Sequence, residues 1–156
     1  MPSHDRDATF AIVDALLALD PPYTAHAVGA AVERPLARTG GHPHVVTYHE
    51  ASFPSGPLAR VEVRESQSRA GMVLATFRDS PVTHIEIRDH AGLDVGSWNV
   101  PDPEAPLDES YYSTHVRPWG DIRIGYDRHT RRFRALILDA MKTVTGPSVP
   151  VDPFAL

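Results

Sequence analysis

An α+β fold is what the sequence predicts: two N-terminal helices, an antiparallel β-meander of about five to six strands, and a C-terminal helix packed on the sheet. Three observations predict it. Apolar residues recur at helical spacing through the first 34 residues, the period changes to two from residue 44, and a helical stripe returns after residue 133. The length of 156 residues suits one domain over residues 1–146, with residues 147–156 as an extended Pro-rich arm.

The first helix is expected over residues 5–19. Asp5 can cap it, Asp7 favours its first turn, and Phe10, Val13, Leu16 and Leu17 form its apolar face. Asp20-Pro21-Pro22 stops it, because a residue before proline is pushed out of the helical region. Thr24 can cap a second helix running to Arg34, with Val28, Ala31 and Val32 inward. Pro35 marks its end, and Gly40-Gly41 reads as a loop.

Strand signals follow. HVVTYHEA (44–51) is β-branched and aromatic. LARVEVRES (58–66) alternates, with Ala59, Val61 and Val63 on one face and Arg60, Glu62 and Arg64 on the other. GMVLATFR (71–78) is apolar on both faces, as a central strand should be, and VTHIEIRD (82–89) alternates again. Short connections imply neighbouring antiparallel strands. Residues 90–110 carry three prolines and read as a weak strand near 95–100 followed by a long loop. YYSTHVRP and DIRIGY form two further strands with Trp119-Gly120 at the turn.

The last element admits two readings. Phe133, Leu136, Ile137, Ala140, Met141 and Val144 match a helical stripe that Asp127 or Thr130 can cap. GYDRHTRRF also resembles a hairpin turn, with FRALILD as its second strand. The helix is preferred because strand alternation fails at Leu136-Ile137-Leu138, although three arginines in its first turn oppose the helix dipole. The tail TGPSVPVDPFAL is expected to be an extended arm, docked by Phe154 and Leu156 or else disordered.

Composition excludes several chemistries. Cysteine is absent, which removes disulfides, thiolate nucleophiles and Cys-ligated metal centres. The net charge of −5 argues against nucleic acid and anionic membrane as partners. The N-terminus lacks a secretory pattern and no apolar run reaches membrane-span length, so a cytoplasmic protein is expected. All basic residues but Lys142 are arginine, and with the alanine richness this points to a GC-rich bacterial genome. Charge is unevenly placed: residues 1–78 carry −1, residues 79–116 carry −7 and residues 117–156 carry +3.

The sequence has no P-loop, dinucleotide fingerprint or nucleophile elbow, and no cofactor is expected. His42-Pro43-His44 is an H-x-H pair; on an extended segment both imidazoles face one side and can share a metal, given a third ligand such as His84, Glu86 or His115. His84, Glu86 and Arg88 share one face if residues 82–89 are a strand. Paired imidazoles and carboxylates there can do acid–base work, with a solvated ion-pair face as the plain alternative. Both tryptophans and three of five tyrosines fall between residues 98 and 126: Trp98, Tyr111, Tyr112, Trp119 and Tyr126. Such amphipathic aromatics are enriched at binding surfaces and also pack loops onto sheets. Arg117 lies among them, and Arg128, Arg131, Arg132 and Arg134 crowd the next turn with His129. Guanidinium forks suit carboxylate and phosphate, including the acidic segment of the same chain or of a symmetry mate.

The leading expectation is a small non-catalytic binding or accessory protein. It engages a protein partner or itself, as a homodimer, through the acidic, aromatic-flanked loop containing Asp102, Glu104, Asp108 and Glu109; a small anionic ligand is the other partner considered. The first alternative is a cofactor-independent cyclase, isomerase or dehydratase with a cavity between sheet and helices. His115 would be its acid–base group, with His84 and Glu86 next and Tyr112 as a hydrogen-bond donor. The second alternative is a metalloprotein built on His42 and His44.

Overall fold

The computed structural model describes residues 2–78, 80–93, 99–100 and 110–142. Trp98, the acidic loop (Asp102, Glu104, Asp108, Glu109) and the arm 147–156 lie outside the described residues. Helix α1 spans Pro2–Leu17 and buries Val13 and Leu16, the residues its apolar period selects. Thr9 is enclosed on the same helix and satisfies its hydroxyl on the Asp5 carbonyl at 2.6 Å. Helix α2 spans Ala25–Val32. The Thr24 hydroxyl caps it by accepting the Ala27 N–H at 3.1 Å, and Glu33 ends it in the left-handed region at φ 59°. It is two residues shorter than expected because that left-handed step reverses the chain before Arg34.

All the strands described join one antiparallel sheet: β1 Ala37–Gly41, β2 Val46–Ser52, β3 Leu58–Ser66, β4 Met72–Phe77, β5 Asn99–Val100, β6 Ser110–Arg117, β7 Gly120–Asp127 and β8 Phe133–Asp139. Their order is β1-β2-β3-β4-β8-β7-β6-β5. That is seven strands of five residues or more plus the two-residue β5, against the five to six expected. Helix α3, His84–Ala91, connects the two halves.

The order resolves into two copies of one unit. Each is a helix followed by a four-stranded meander, α2 then β1 to β4 and α3 then β5 to β8. The units meet antiparallel at β4–β8, where Leu74 faces Ile137. Helix α2 contacts β3 and helix α3 contacts β7, the third strand of each meander, while α1 contacts both helices. The repeat is one of topology, and the sequence carries no matching repeat.

The helices cover one sheet face. Val61, Val63, Val73, Ala75, Ile122, Ile124, Leu136 and Leu138 point into it as the common core. The other face keeps the charges that alternation predicts. Arg60 pairs with Glu50, Arg64 Nε lies 3.4 Å from Glu62, and Arg123 bridges Asp121 at 2.9 Å and Asp139. Such partly exposed pairs contribute little each, about 0–1 kcal/mol.

Three expectations are corrected. Residues 82–89 are not a strand. Thr83 and Glu86 form a capping box, each side chain accepting from the other's backbone N–H, and this starts α3. Val82 and Ile87, the positions a hydrophobic staple pairs, are both fully buried.

Of the helix expected over residues 133–144, Phe133–Asp139 is strand β8 instead, and residues 143 and 144 lie outside the described residues. The Asp127 carboxylate accepts the N–H groups of His129 and Thr130, both at 2.8 Å, as a helix cap would. Arg131 then turns left-handed at φ 65° and returns the chain as β8. The run Leu136-Ile137-Leu138 breaks alternation because β8 lies between β4 and β7 and is buried on both faces.

Gly40-Gly41 is not loop but the end of edge strand β1, with a register shift between Arg38 and Gly40. A bulge of this kind blunts an open edge.

The strand assignment of β8 has a measurable consequence. Leu138 lies off the helical stripe, whereas in β8 it is 1% exposed in the core. Leu138→Ala should therefore cost about 2–5 kcal/mol in urea unfolding. A near-neutral substitution would contradict the placement.

Candidate functional site

The structure brings two of the predicted catalytic residues together and separates the other two. His84 is the first residue of α3 and His115 lies on β6, and both point to the helix-covered face of the sheet, 5% and 3% exposed. Register explains His115: it pairs with Ile122 on β7, as Ser113 pairs with Ile124 and Tyr111 with Tyr126. These six side chains share one face. Tyr112 has opposite parity and lies on the other face across Gly125, where an added Cβ would meet its ring at 2.9 Å. Glu86 is engaged in the capping box and in an ion pair with Arg6 of α1.

The segment before α3 is stitched to the β7–β8 turn. The His84 N–H donates to the Arg131 carbonyl at 3.0 Å, the Phe133 N–H donates to Val82 at 2.8 Å, and Thr83 bridges Arg132. The imidazole of His84 then stacks on the Tyr126 ring, centroids 3.7 Å apart and planes within 12°, and Tyr111 meets Tyr126 edge-on at 6.1 Å. Ser113 and His115 Nε2 share a hydrogen bond at 3.1 Å.

Burial pushes the His84 pKa down. The Arg131 carbonyl opposes that shift, while the guanidinium groups of Arg131 and Arg88 and the nearby His115 reinforce it. Burial likewise raises the Tyr126 phenol. The Arg131 guanidinium partly offsets this, near enough to act on the phenol electrostatically but outside hydrogen-bond geometry. The result is a neutral imidazole and a neutral phenol in contact inside the core. Neither His84 nor His115 lines the grooves beside α2 or the cavities at the β6–β7 and β7–β8 turns.

The remaining predicted residues are dispersed. His42 and His44 occupy the exposed β1–β2 turn, where the His44 N–H reaches His42 Nδ1 at 3.3 Å, and not an extended strand. Among the described residues no group of three or more metal-ligating side chains converges anywhere. Arg128, Arg131, Arg132 and Arg134 ring the β7–β8 turn, with Arg134 3.8 Å from Asp127. Arg117 and Trp119 stand at the other end of β7, on the β6–β7 turn.

One surface was not anticipated. Helix α2, AHAVGAAV, has no charged residue, yet only Val28 and Gly29 are buried. A helix that is apolar on all sides is ordinarily enclosed. Here Ala30 is exposed and apolar grooves flank the helix on both sides. One, about 550 Å³, lies between α2 and Pro35-Leu36; the other, about 380 Å³, lies toward α1, Phe53 and Leu58. The signal in the sequence was the uncharged run itself, legible as a helix but not as an uncovered one.

No protein-family model matches this sequence, and no curated protein or solved structure shows significant similarity to it.

The lowered His84 pKa fixes the sign of a pH effect. The folded state binds the His84 proton less tightly than the unfolded chain does. The stability it confers is therefore present above the ordinary histidine value of about 6.5 and is lost as pH falls below it. The loss levels off once folded His84 also protonates. Its slope is at most about 1.4 kcal/mol per pH unit. His84→Phe keeps the ring stack and removes the titration. Urea unfolding between pH 8 and pH 5 should show a shallower acid decline in the variant, and parallel curves would exclude His84 as the source.

Proposed function

We propose that this protein is a non-catalytic binding or accessory protein that engages a protein partner, with α2 as the docking element. The observation that carries this reading is an uncharged helix left largely uncovered between two apolar grooves. Contiguous exposed apolar surface rimmed by polar residues is characteristic of interaction sites. Glu33 and Arg34 supply such a rim at the helix C-terminus, and His26 lies on its open side. An apolar helix or extended segment of a partner fits grooves of this kind, and the affinity would come from burying small aliphatic surface rather than from ion pairs. This keeps the class of function the sequence led to and moves the surface from the acidic loop to α2.

A second reading, a cofactor-independent enzyme, is favoured by the contact of His84 with Tyr126 beside His115. It needs a route for substrate to those imidazoles.

A photo-crosslinking residue tests the docking proposal in cells of the native host. It is placed in full-length protein at position 30 on α2 or at position 128 on the β7–β8 turn. Position 30 should give an adduct of discrete mass that Ala25→Glu suppresses, since an acid in the first turn of α2 suits the helix but charges the groove. Adducts at position 128 alone, or none at position 30, would contradict the assignment.

A further inference from the structure

The C-terminal ends of α1 and α3 meet the β6–β7 turn around a cavity of about 230 Å³. It is smaller than the roughly 300–1,000 Å³ usual for drug-sized ligands, and so suits a molecule of amino-acid size. Leu17, Ile122 and Leu138 supply apolar parts of its wall, while most of its accessible lining is polar. Asp20, Tyr23, Arg117 and Trp119 bring polar groups to it.

The turn that presents two of them is held by close packing. An added Cβ at Gly120 would lie 2.0 Å from the Asp139 carbonyl, so only glycine lets β7 start there. This fixes Arg117 and Trp119 on either side of Pro118. Tyr23 is anchored by its N–H on the Ala70 carbonyl at 2.8 Å, and its ring meets Trp119 edge-on at 5.9 Å.

Two polar groups of this cavity, Arg117 and the Tyr23 hydroxyl, are under-used among the described residues. Arg117 is partly buried but makes no ion pair with any described residue, unlike Arg6, Arg60, Arg64, Arg88 and Arg123. A guanidinium presents five donors in a fork that matches a carboxylate. Tyr23 is only 3% exposed, and its hydroxyl makes no hydrogen bond to a described residue. Burial raises its pKa and the Asp20 carboxylate raises it further, so the phenol stays protonated as a donor. The electrostatics of the cavity are also divided. Asp20 and the carbonyl ends of α1 and α3 make one side negative, while Arg117 at the end of β6 makes another positive.

We propose that this cavity is a binding site for a small zwitterion, a free α-amino acid with an aliphatic side chain. Its carboxylate pairs with Arg117, its ammonium faces Asp20 and the two helix ends, and its side chain lies against Leu17, Leu138 and Trp119. The site is distinct from the α2 surface and does not depend on it.

L-Leucine, 4-methylvalerate and isopentylamine separate the two charges on one carbon skeleton. Each is titrated into the full-length protein while the two tryptophan indole N–H resonances are followed by NMR, with Trp119→Phe assigning them. Leucine should shift the Trp119 signal saturably and bind tighter than either single-charge analogue. Arg117→Gln and Asp20→Asn should each weaken leucine by about tenfold or more, the usual scale for losing a charged hydrogen bond. Unchanged amide spectra away from the cavity establish that these variants are folded. No saturable shift with leucine up to about 50 mM, equal binding of 4-methylvalerate or isopentylamine, or undiminished binding in Arg117→Gln overturns the proposal.

Discussion

The pairing of β4 with β8 is the constraint on which the rest depends. Five consecutive residue pairs, Met72↔Asp139 through Thr76↔Ala135, join the two meanders, and the Ala140 N–H on the Gly71 carbonyl and the Phe77–Phe133 contact extend the seam at its ends. Without that ladder each unit would present a long apolar edge, and the core residues Val73, Ala75, Leu136 and Leu138 would lose their neighbours across the seam. The register also decides which side chains face the helices. A slip of one residue would turn Leu136 and Leu138 outward and bring Ile137 in. Every site described above inherits its geometry from this register. It runs through β7, which sets Ile122, Ile124 and Tyr126 on the helix side, and through β6, which sets Ser113, His115 and Arg117 there.

Much of the first half was legible in the sequence, because its elements obey one periodicity each. Val13 and Leu16, the Thr24 cap, and the alternation of β3 all lie where spacing places them. The second half was misread where two structures share one local chemistry. An aspartate accepting two following N–H groups starts a helix or makes a turn, and only the left-handed Arg131 decides between them at Asp127. The converse error came at Thr83. The T-x-x-E box was present in the sequence, but Ile85 and Ile87 on one face against His84, Glu86 and Arg88 on the other satisfy strand alternation as well. Burial settles the matter only after folding: Val82 and Ile87 are enclosed while Ile85 is exposed.

The candidate sites show the same division. That His84 and His115 belong together has no local signal, since α3 and β6 are both rich in polar residues, and their proximity needs α3 to be a helix whose first residue drops onto β7. The misassigned strand would have placed Glu86 beside His84; the helix sends it toward Arg6 instead. The cavity at the β6–β7 turn was half visible, because Arg117 and Trp119 stood out, while Asp20 and Tyr23 lie nearly 100 residues earlier and no local pattern links them.

The two units are alike in topology and unlike in how their helices are treated, and that contrast locates the open surface. Helix α1 touches both α2 and α3. Its polar contacts go to α3 alone among the described residues: Arg6 pairs with Glu86, Asp14 meets His90 at 2.8 Å, and Phe10 packs on the His90 ring at 4.4 Å. Helix α3 is further fixed by its capping box and by the stitch to the β7–β8 turn. Helix α2 is held by its Thr24 cap, its left-handed end at Glu33 and the packing of Val28, Gly29 and Val32. A helix without charged side chains has no means of making ion pairs with α1, and its small residues leave grooves where larger ones would fill them. The sequence of α2 thus forgoes the ion pairs that tie α3 to α1 and leaves Ala30 exposed, although α2 still packs on α1. In a fold built from two similar halves, that asymmetry is the ground for placing the proposed docking surface on α2 and not on α3.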